Sequence, residues 1–204
     1  MRITPLSPDS FYHIYTRGVD KRKIFLHPYD YRRFTHTIHS LLLTGSATQR
    51  PSHNQGVALT AGFDKKIDIL SYCLMPNHYH FLLYQKAENG ISEFMHNLNT
   101  SYTMVFNKQN KRTGRLFEST FKANLITSDE HLIHVSRYIH LNPVLASLAP
   151  SPDTYPWSSF REYCEDIPKK ICQTESILNQ FPKKESYRSF VVEYIPEALE
   201  AKHA

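Results

Sequence analysis

Residues 67–84, IDILSYCLMPNHYHFLLY, decide the fold. The stretch divides into 67–74 (IDILSYCL) and 78–84 (HYHFLLY), two runs rich in β-branched and aromatic residues joined by Met75, Pro76 and Asn77. Proline presets a turn dihedral and asparagine tolerates tight backbone, so the stretch reads as a β-hairpin. Side chains alternate across a strand. Tyr79, Phe81 and Leu83 therefore share one face, and His78 and His80 project together from the other.

Working outward, residues 11–17 (FYHIYTR) read as a strand, and Gly18 opens a basic turn. From Pro28 to Leu43, Tyr31, Phe34, Ile38, Leu41 and Leu42 recur at helical spacing. Residues 45–64 have no periodicity and predict a long loop. Beyond the hairpin, Ile91, Phe94, Met95, Leu98, Tyr102, Val105 and Phe106 mark a helix over about 91–106. A strand follows near 121–126. Ser128 is then a candidate N-cap, with Asp129 and Glu130 favourable in the first turn, for a helix to about Leu141. The order strand, helix, hairpin, helix, strand, helix predicts an α+β fold over residues 1–150, a ferredoxin-like or RRM-like sandwich with a central antiparallel sheet and helices on one face. Residues 151–204 predict a C-terminal extension with short helices near 174–181 and 184–195.

Composition narrows the function. A chain of 204 residues with 41% hydrophobic and 21% charged residues is globular rather than disordered, and 13 Tyr with 12 Phe exceed what one core needs, leaving rings that could stack on bases. No apolar run nears bilayer length, and the start, MRITPLSPDS, lacks the charged and apolar regions of a signal peptide. Three cysteines without CxxC spacing argue against a disulfide framework. A cytoplasmic, nucleoid-associated location is the expectation. The net charge of +5 is concentrated: residues 17–33 carry six Lys/Arg against two Asp, and residues 107–122 five against one Glu, on a mildly acidic remainder. Such patches suggest a polyanion partner, although a solvated charged face has the same composition.

Two constellations could carry chemistry. His78 and His80, side by side at the start of a strand, could share a divalent metal; among twelve histidines, the same spacing also describes two ordinary strand residues. On the last helix, Leu132, Val135 and Ile139 form the buried stripe. Tyr138 lies at its edge, with Asn142 one turn on, so a phenol and a carboxamide share a flank. Pro143 biases Asn142 away from helical geometry. By spacing alone Tyr138 is indistinguishable from a boundary tyrosine.

Several blocks together resemble the REP-associated tyrosine transposases, a branch of the single-tyrosine transposases within the HUH endonuclease superfamily. They are His13 to Gly18 followed by Ile24 and Phe25, Tyr72 to His80, Arg112 to Phe117, Tyr138 to Val144, and Tyr155 to Ser159. The resemblance implies a metal-dependent single-stranded DNA endonuclease and transposase that cleaves and rejoins DNA near palindromic hairpins through a 5′-phosphotyrosine intermediate. It assigns His78 and His80 to the metal pair, Tyr138 to the nucleophile and Asn142 to the third ligand. Tyr102, the competing tyrosine, falls in the apolar stripe of its helix and reads as core. A mixed nitrogen and oxygen set with open positions suits Mg²⁺ or Mn²⁺. A free phenol ionises near about pH 10, so neighbouring positive charge must help it attack. The basic residues Arg17, Lys21, Arg22, Lys23, Lys108, Lys111, Arg112, Arg115 and Lys122 are candidates for DNA phosphates. Relatives include monomers and domain-exchanged dimers, so a homodimer, and a tyrosine acting on its partner's site, both stay open. Glu118 stands where relatives commonly have Gln, and Thr120 replaces a basic residue; both changes weaken local attraction for phosphate. The alternative reading is a non-catalytic module of the same fold that binds single strands or hairpins.

Overall fold

The computed structural model describes residues 6–46 and 62–203. Four strands, β1 (Ser10–Arg17), β2 (Ile67–Met75), β3 (His78–Gln85) and β4 (Lys122–Ile126), form one sheet in the order β2-β3-β1-β4, with every pair antiparallel. The hairpin is as read, and β1, although distant in sequence, inserts beside β3. In that register Arg17 stands opposite His78, and Tyr15 opposite His80. Helices α1 (Pro28–Thr44) and α2 (Gly90–Gln109) cross one face. The predicted loop of 45–64 falls for the most part outside the described residues.

Local chemistry sets the ends of α1. Asp30 accepts from the backbone N–H groups of Leu26 and His27 at 2.8 and 2.9 Å, Pro28 occupies the first turn, and Gly45 closes the helix at φ 66°. Under α1 and α2 lies the first core: Ile14, Phe34, Ile38, Phe81, Leu83, Phe94, Leu98 and Tyr102. Tyr102 donates to the Ile24 carbonyl at 2.6 Å, and burial raises its pKa well above the ordinary phenol value. It is a core residue, as its place in the stripe indicates.

The predicted fold class holds, but the helices do not share one face. Helix α3 (Asp129–Leu145) lies across the opposite side of the sheet. The physical reason is the sheet's composition: Leu70, Cys73, Met75 and Leu82 point that way and need cover. A bulge at Leu70 shifts the register between Ile69 and Ser71, so that beyond it Tyr72 and Leu74 join the first core and Cys73 and Met75 the second face. Helix α3 also runs past its predicted end, continuing through Pro143. Proline costs one helical hydrogen bond, to the Ile139 carbonyl, and burial of Asn142, Pro143 and Val144 holds the last turn.

The extension completes this second core with α4 (Phe160–Cys164), α5 (Glu175–Leu178), α6 (Lys184–Val192) and α7 (Ile195–His203). It also covers the free edge of β2. Leu74 donates to the Trp157 carbonyl, and Ser159 and Gln173 donate to the carbonyls of Tyr72 and Ile69, at 2.8–2.9 Å. An uncovered edge strand would invite pairing with other chains. Trp157 stacks on Tyr31 at 4.6 Å and packs against both cores, a structural anchor. No described helix is long and apolar enough to cross a membrane.

Candidate active site

On the second face of the sheet, where β1 and β3 meet, Tyr138 of α3 packs over the strands. His13 from β1 and His78 and His80 from β3 meet there. His78 and His80 have ring centroids 5.0 Å apart, and His13 lies edge to edge with His80, nearly coplanar, at 5.1 Å. Tyr138, on the exposed flank of α3, places its ring edge-on to both, 5.6 Å from His80 and 5.9 Å from His13. Tyr138 is 45% exposed, whereas His80 is 6% and His13 8% exposed. The tyrosine is thus the part of the cluster that a polymer can reach. Tyr15 completes the group, 5.1 Å from His13 and 5.8 Å from His80.

The hydrogen bonds leave matching atoms available. Asn77, at the hairpin turn, holds His78 Nδ1 at 2.6 Å through its carbonyl oxygen, so that nitrogen carries the proton and Nε2 keeps a lone pair. His80 Nδ1 faces His13 Nε2 at 2.9 Å, a contact in which either ring can be the donor. Burial is the main cause that lowers all three imidazole values, with His131 adding its charge at His13 and Arg17 at His78 and His80; His13 and His78 fall to about 4. Neutral imidazoles in this arrangement can accept a metal. Asn142 is 9% exposed and sits one turn beyond Tyr138; its amide nitrogen is engaged, which leaves the carbonyl oxygen as the atom it can offer. Among the described residues no cluster of three or more His, Cys, Asp and Glu is set to hold a metal.

The basic candidates separate into groups. Arg17 is the strand partner of His78, and Lys122, opposite Tyr15 on β4, has its ammonium 5.9 Å from that ring and 4.0 Å from Glu118. Lys21, Arg22 and Lys23 lie on the following turn, which Asn77 holds by donating to the Lys21 carbonyl at 3.2 Å. Segment 111–119 returns to the same corner: Val19 donates to the Leu116 carbonyl and Glu118 to the Arg17 carbonyl, and Arg115 stands exposed beside them. Lys108, Lys111 and Arg112 are at the far end of α2, where Arg112 bonds Asn107 at 2.6 Å. They make no described hydrogen bond or ion pair with the histidine cluster.

His13 and Tyr15 were not among the sequence candidates. Their alternation with buried Ile14 marks a shared face, but only the pairing of β1 with β3, a contact between segments some 65 residues apart, brings that face to the histidines.

The lowered histidine values have a consequence for stability. An unfolded imidazole titrates at 6.5, whereas buried His140 falls to about 3 and His13 and His78 to about 4. Between these limits the unfolded chain binds more protons than the folded one, so stability falls as pH falls from about 6.5 toward 4. Thermal denaturation of the metal-free protein should show Tm dropping progressively across that window. A flat profile would contradict the buried neutral histidines.

Comparison with known proteins agrees with the motif resemblance. Residues 54–142 match the family model described as IS200-like transposase, a span that contains His78, His80, Tyr138 and Asn142. No curated protein matches. Among solved structures, a REP-associated tyrosine transposase bound to a REP hairpin has the same fold, with a TM-score of 0.59 at 15% identity, covering 79% of this chain and 82% of that one.

Proposed function

We propose that this chain, similar to the IS200-like transposases, is a metal-dependent single-stranded DNA endonuclease and strand-transfer enzyme that acts near hairpins or imperfect palindromes. The observation that carries the reading is the placement of Tyr138 over His80 and His13 within one chain, with His78 alongside. The approach of the tyrosine to the histidines within one chain supports a Tyr138 that acts on its own subunit's site.

His78 and His80, through Nε2, and Asn142, through its carbonyl oxygen, would hold Mg²⁺ or Mn²⁺. Such an ion, when bound, polarises a nonbridging phosphate oxygen. The tyrosine oxygen of Tyr138 bonds to phosphorus while the bond from phosphorus to O3′ breaks. The phenolic proton leaves to solvent, and the departing O3′ takes a proton from solvent. The products are a 5′-phosphotyrosine and a free 3′-OH. The phosphodiester is conserved in the link, so a second 3′-OH can reverse the step without ATP. Arg17 and Lys122 lie where they would grip the phosphates that flank the scissile one, and Lys21, Arg22, Lys23 and Arg115 would extend that grip along the strand. The partly exposed ring of Tyr15 offers a surface for a base.

The test is a denaturing gel with labelled single-stranded DNA carrying a palindrome from the gene's own flanks, run with Mn²⁺ or EDTA. A protein–DNA adduct that EDTA removes supports the enzyme; salt-sensitive hairpin binding with no adduct on any flank sequence supports the binding module instead. In the same assay His78→Ala should lower adduct formation on the order of 100-fold or more, because one of two imidazole donors is lost. Hairpin affinity, set by phosphate contacts, should change little. Equal loss of cleavage and binding would make the histidines structural.

A further inference from the structure

We infer that His13 is a positioning residue for His80: it accepts a hydrogen bond from His80 Nδ1 and so holds the His80 ring with its Nε2 lone pair directed at the metal. The inference rests on the proposed metal pair and deepens it. Each of the two candidate ligands has its Nδ1 engaged, at 2.6 Å for His78 and 2.9 Å for His80. For His78 the partner is the Asn77 carbonyl oxygen, an acceptor only, which fixes the tautomer. For His80 the partner is another imidazole, which could accept or donate. If His13 donated, His80 would carry its proton on Nε2 and could not ligate. The metal site therefore requires His13 Nε2 to be the acceptor, with the His13 proton on Nδ1.

The setting suits that task. His13 is 8% exposed and fixed on β1 between two strands, with Asn124 opposite it on β4 and Leu82 on β3. Its ring lies nearly coplanar with that of His80, at an interplanar angle of 22°, the geometry of an in-plane hydrogen bond between the two ring nitrogens. A carboxylate is the commoner partner for a ligating histidine. A neutral imidazole does the same orienting work without adding negative charge beside an incoming phosphodiester, which is the reason to find it in a site that receives DNA.

The experiment measures Mn²⁺ affinity of the purified protein, without DNA, by electron paramagnetic resonance, for wild type, His13→Leu, His13→Gln and His78→Ala, with thermal denaturation of each metal-free form. His13→Leu should bind Mn²⁺ about 10–100-fold more weakly, the usual effect of losing a partner behind a ligand, and His13→Gln, which restores an acceptor, should recover most of that loss. Unchanged affinity in folded His13→Leu, or equal weakening in both variants, overturns the inference. Wild-type protein that binds no Mn²⁺, or binding indifferent to His78→Ala, overturns the metal pair itself. Should His13→Leu not fold, long-range proton–nitrogen spectra of the Mg²⁺-saturated wild type decide: a proton on His80 Nδ1 supports the inference, and a proton on Nε2 overturns it.

Discussion

Tyr138→Phe should abolish the covalent protein–DNA adduct, lowering its formation by at least about 10³-fold, while leaving fold and hairpin affinity intact. The substitution removes one oxygen and nothing else. That oxygen makes no hydrogen bond to another described residue, and the ring is 45% exposed, so the native packing of α3 does not depend on it. The phenyl ring retains the edge contacts with His13 and His80. The chain has 13 tyrosines, and their environments separate them. Tyr79, Tyr102, Tyr163 and Tyr187 are fully buried, and burial raises the pKa of each, which makes a nucleophilic oxygenate harder to form. Tyr15 also reaches the cluster, so Tyr15→Phe is the proper control. An adduct that survives Tyr138→Phe and disappears in Tyr15→Phe would move the nucleophile from α3 to β1; survival in both would reject a tyrosine at this cluster.

The sequence shows most of the elements because their signals are local. The hairpin follows from alternation about Pro76 and Asn77, and α1, α2 and the start of α3 from helical spacing and from caps such as Ser128, whose hydroxyl accepts from His131 N–H at 3.1 Å. What is hidden depends on contacts between distant segments. The role of His13 depends on the β1–β3 register. The short helices near 174–181 and 184–195 are legible, but that they cover the second face of the sheet depends on long-range packing. Pro143 reads as a helix end, yet tertiary burial carries α3 beyond it. His140 gives no signal in the sequence, and it is the centre of a sealed polar network. The candidate site shows the same division: His78, His80 and Tyr138 are visible as motifs, but their meeting is a property of the sheet and of the extension that presses α3 onto it.

That pressing action predicts a large stability effect at Tyr187. Its side chain is fully buried, stacks on Tyr163 at 4.5 Å and touches Phe160, Phe181 and Phe190. Its hydroxyl sits 3.0 Å from the Ser136 hydroxyl and 2.7 Å from His140 Nδ1, while His140 Nε2 is 2.8 Å from the Ser159 hydroxyl. Two assignments satisfy the chain. In one, Ser159 donates to His140 Nε2, His140 Nδ1–H to Tyr187 and Tyr187 to Ser136. In the other, Ser159 donates to the Tyr72 carbonyl at 3.2 Å, His140 Nε2–H to Ser159 and Tyr187 to His140 Nδ1. In both, Ser136 donates to the Ile133 carbonyl at 2.8 Å. Ser136 and His140 flank Tyr138 on α3, so α6 is bolted to the segment that carries the nucleophile. Tyr187→Ala empties an aromatic site and should cost about 3–5 kcal/mol. Tyr187→Phe keeps the packing but leaves His140 Nδ1 buried without its partner, at about 1–3 kcal/mol. Urea denaturation should therefore rank wild type above Phe and Phe above Ala, and the Phe variant, still folded, should form the adduct at a reduced rate as α3 loosens. If Phe is as stable as wild type, the polar network contributes nothing net and packing alone seats the helix. If both variants match wild type, the extension does not hold α3, and the approach of Tyr138 to the histidines has to be explained by the sheet side of the contact alone.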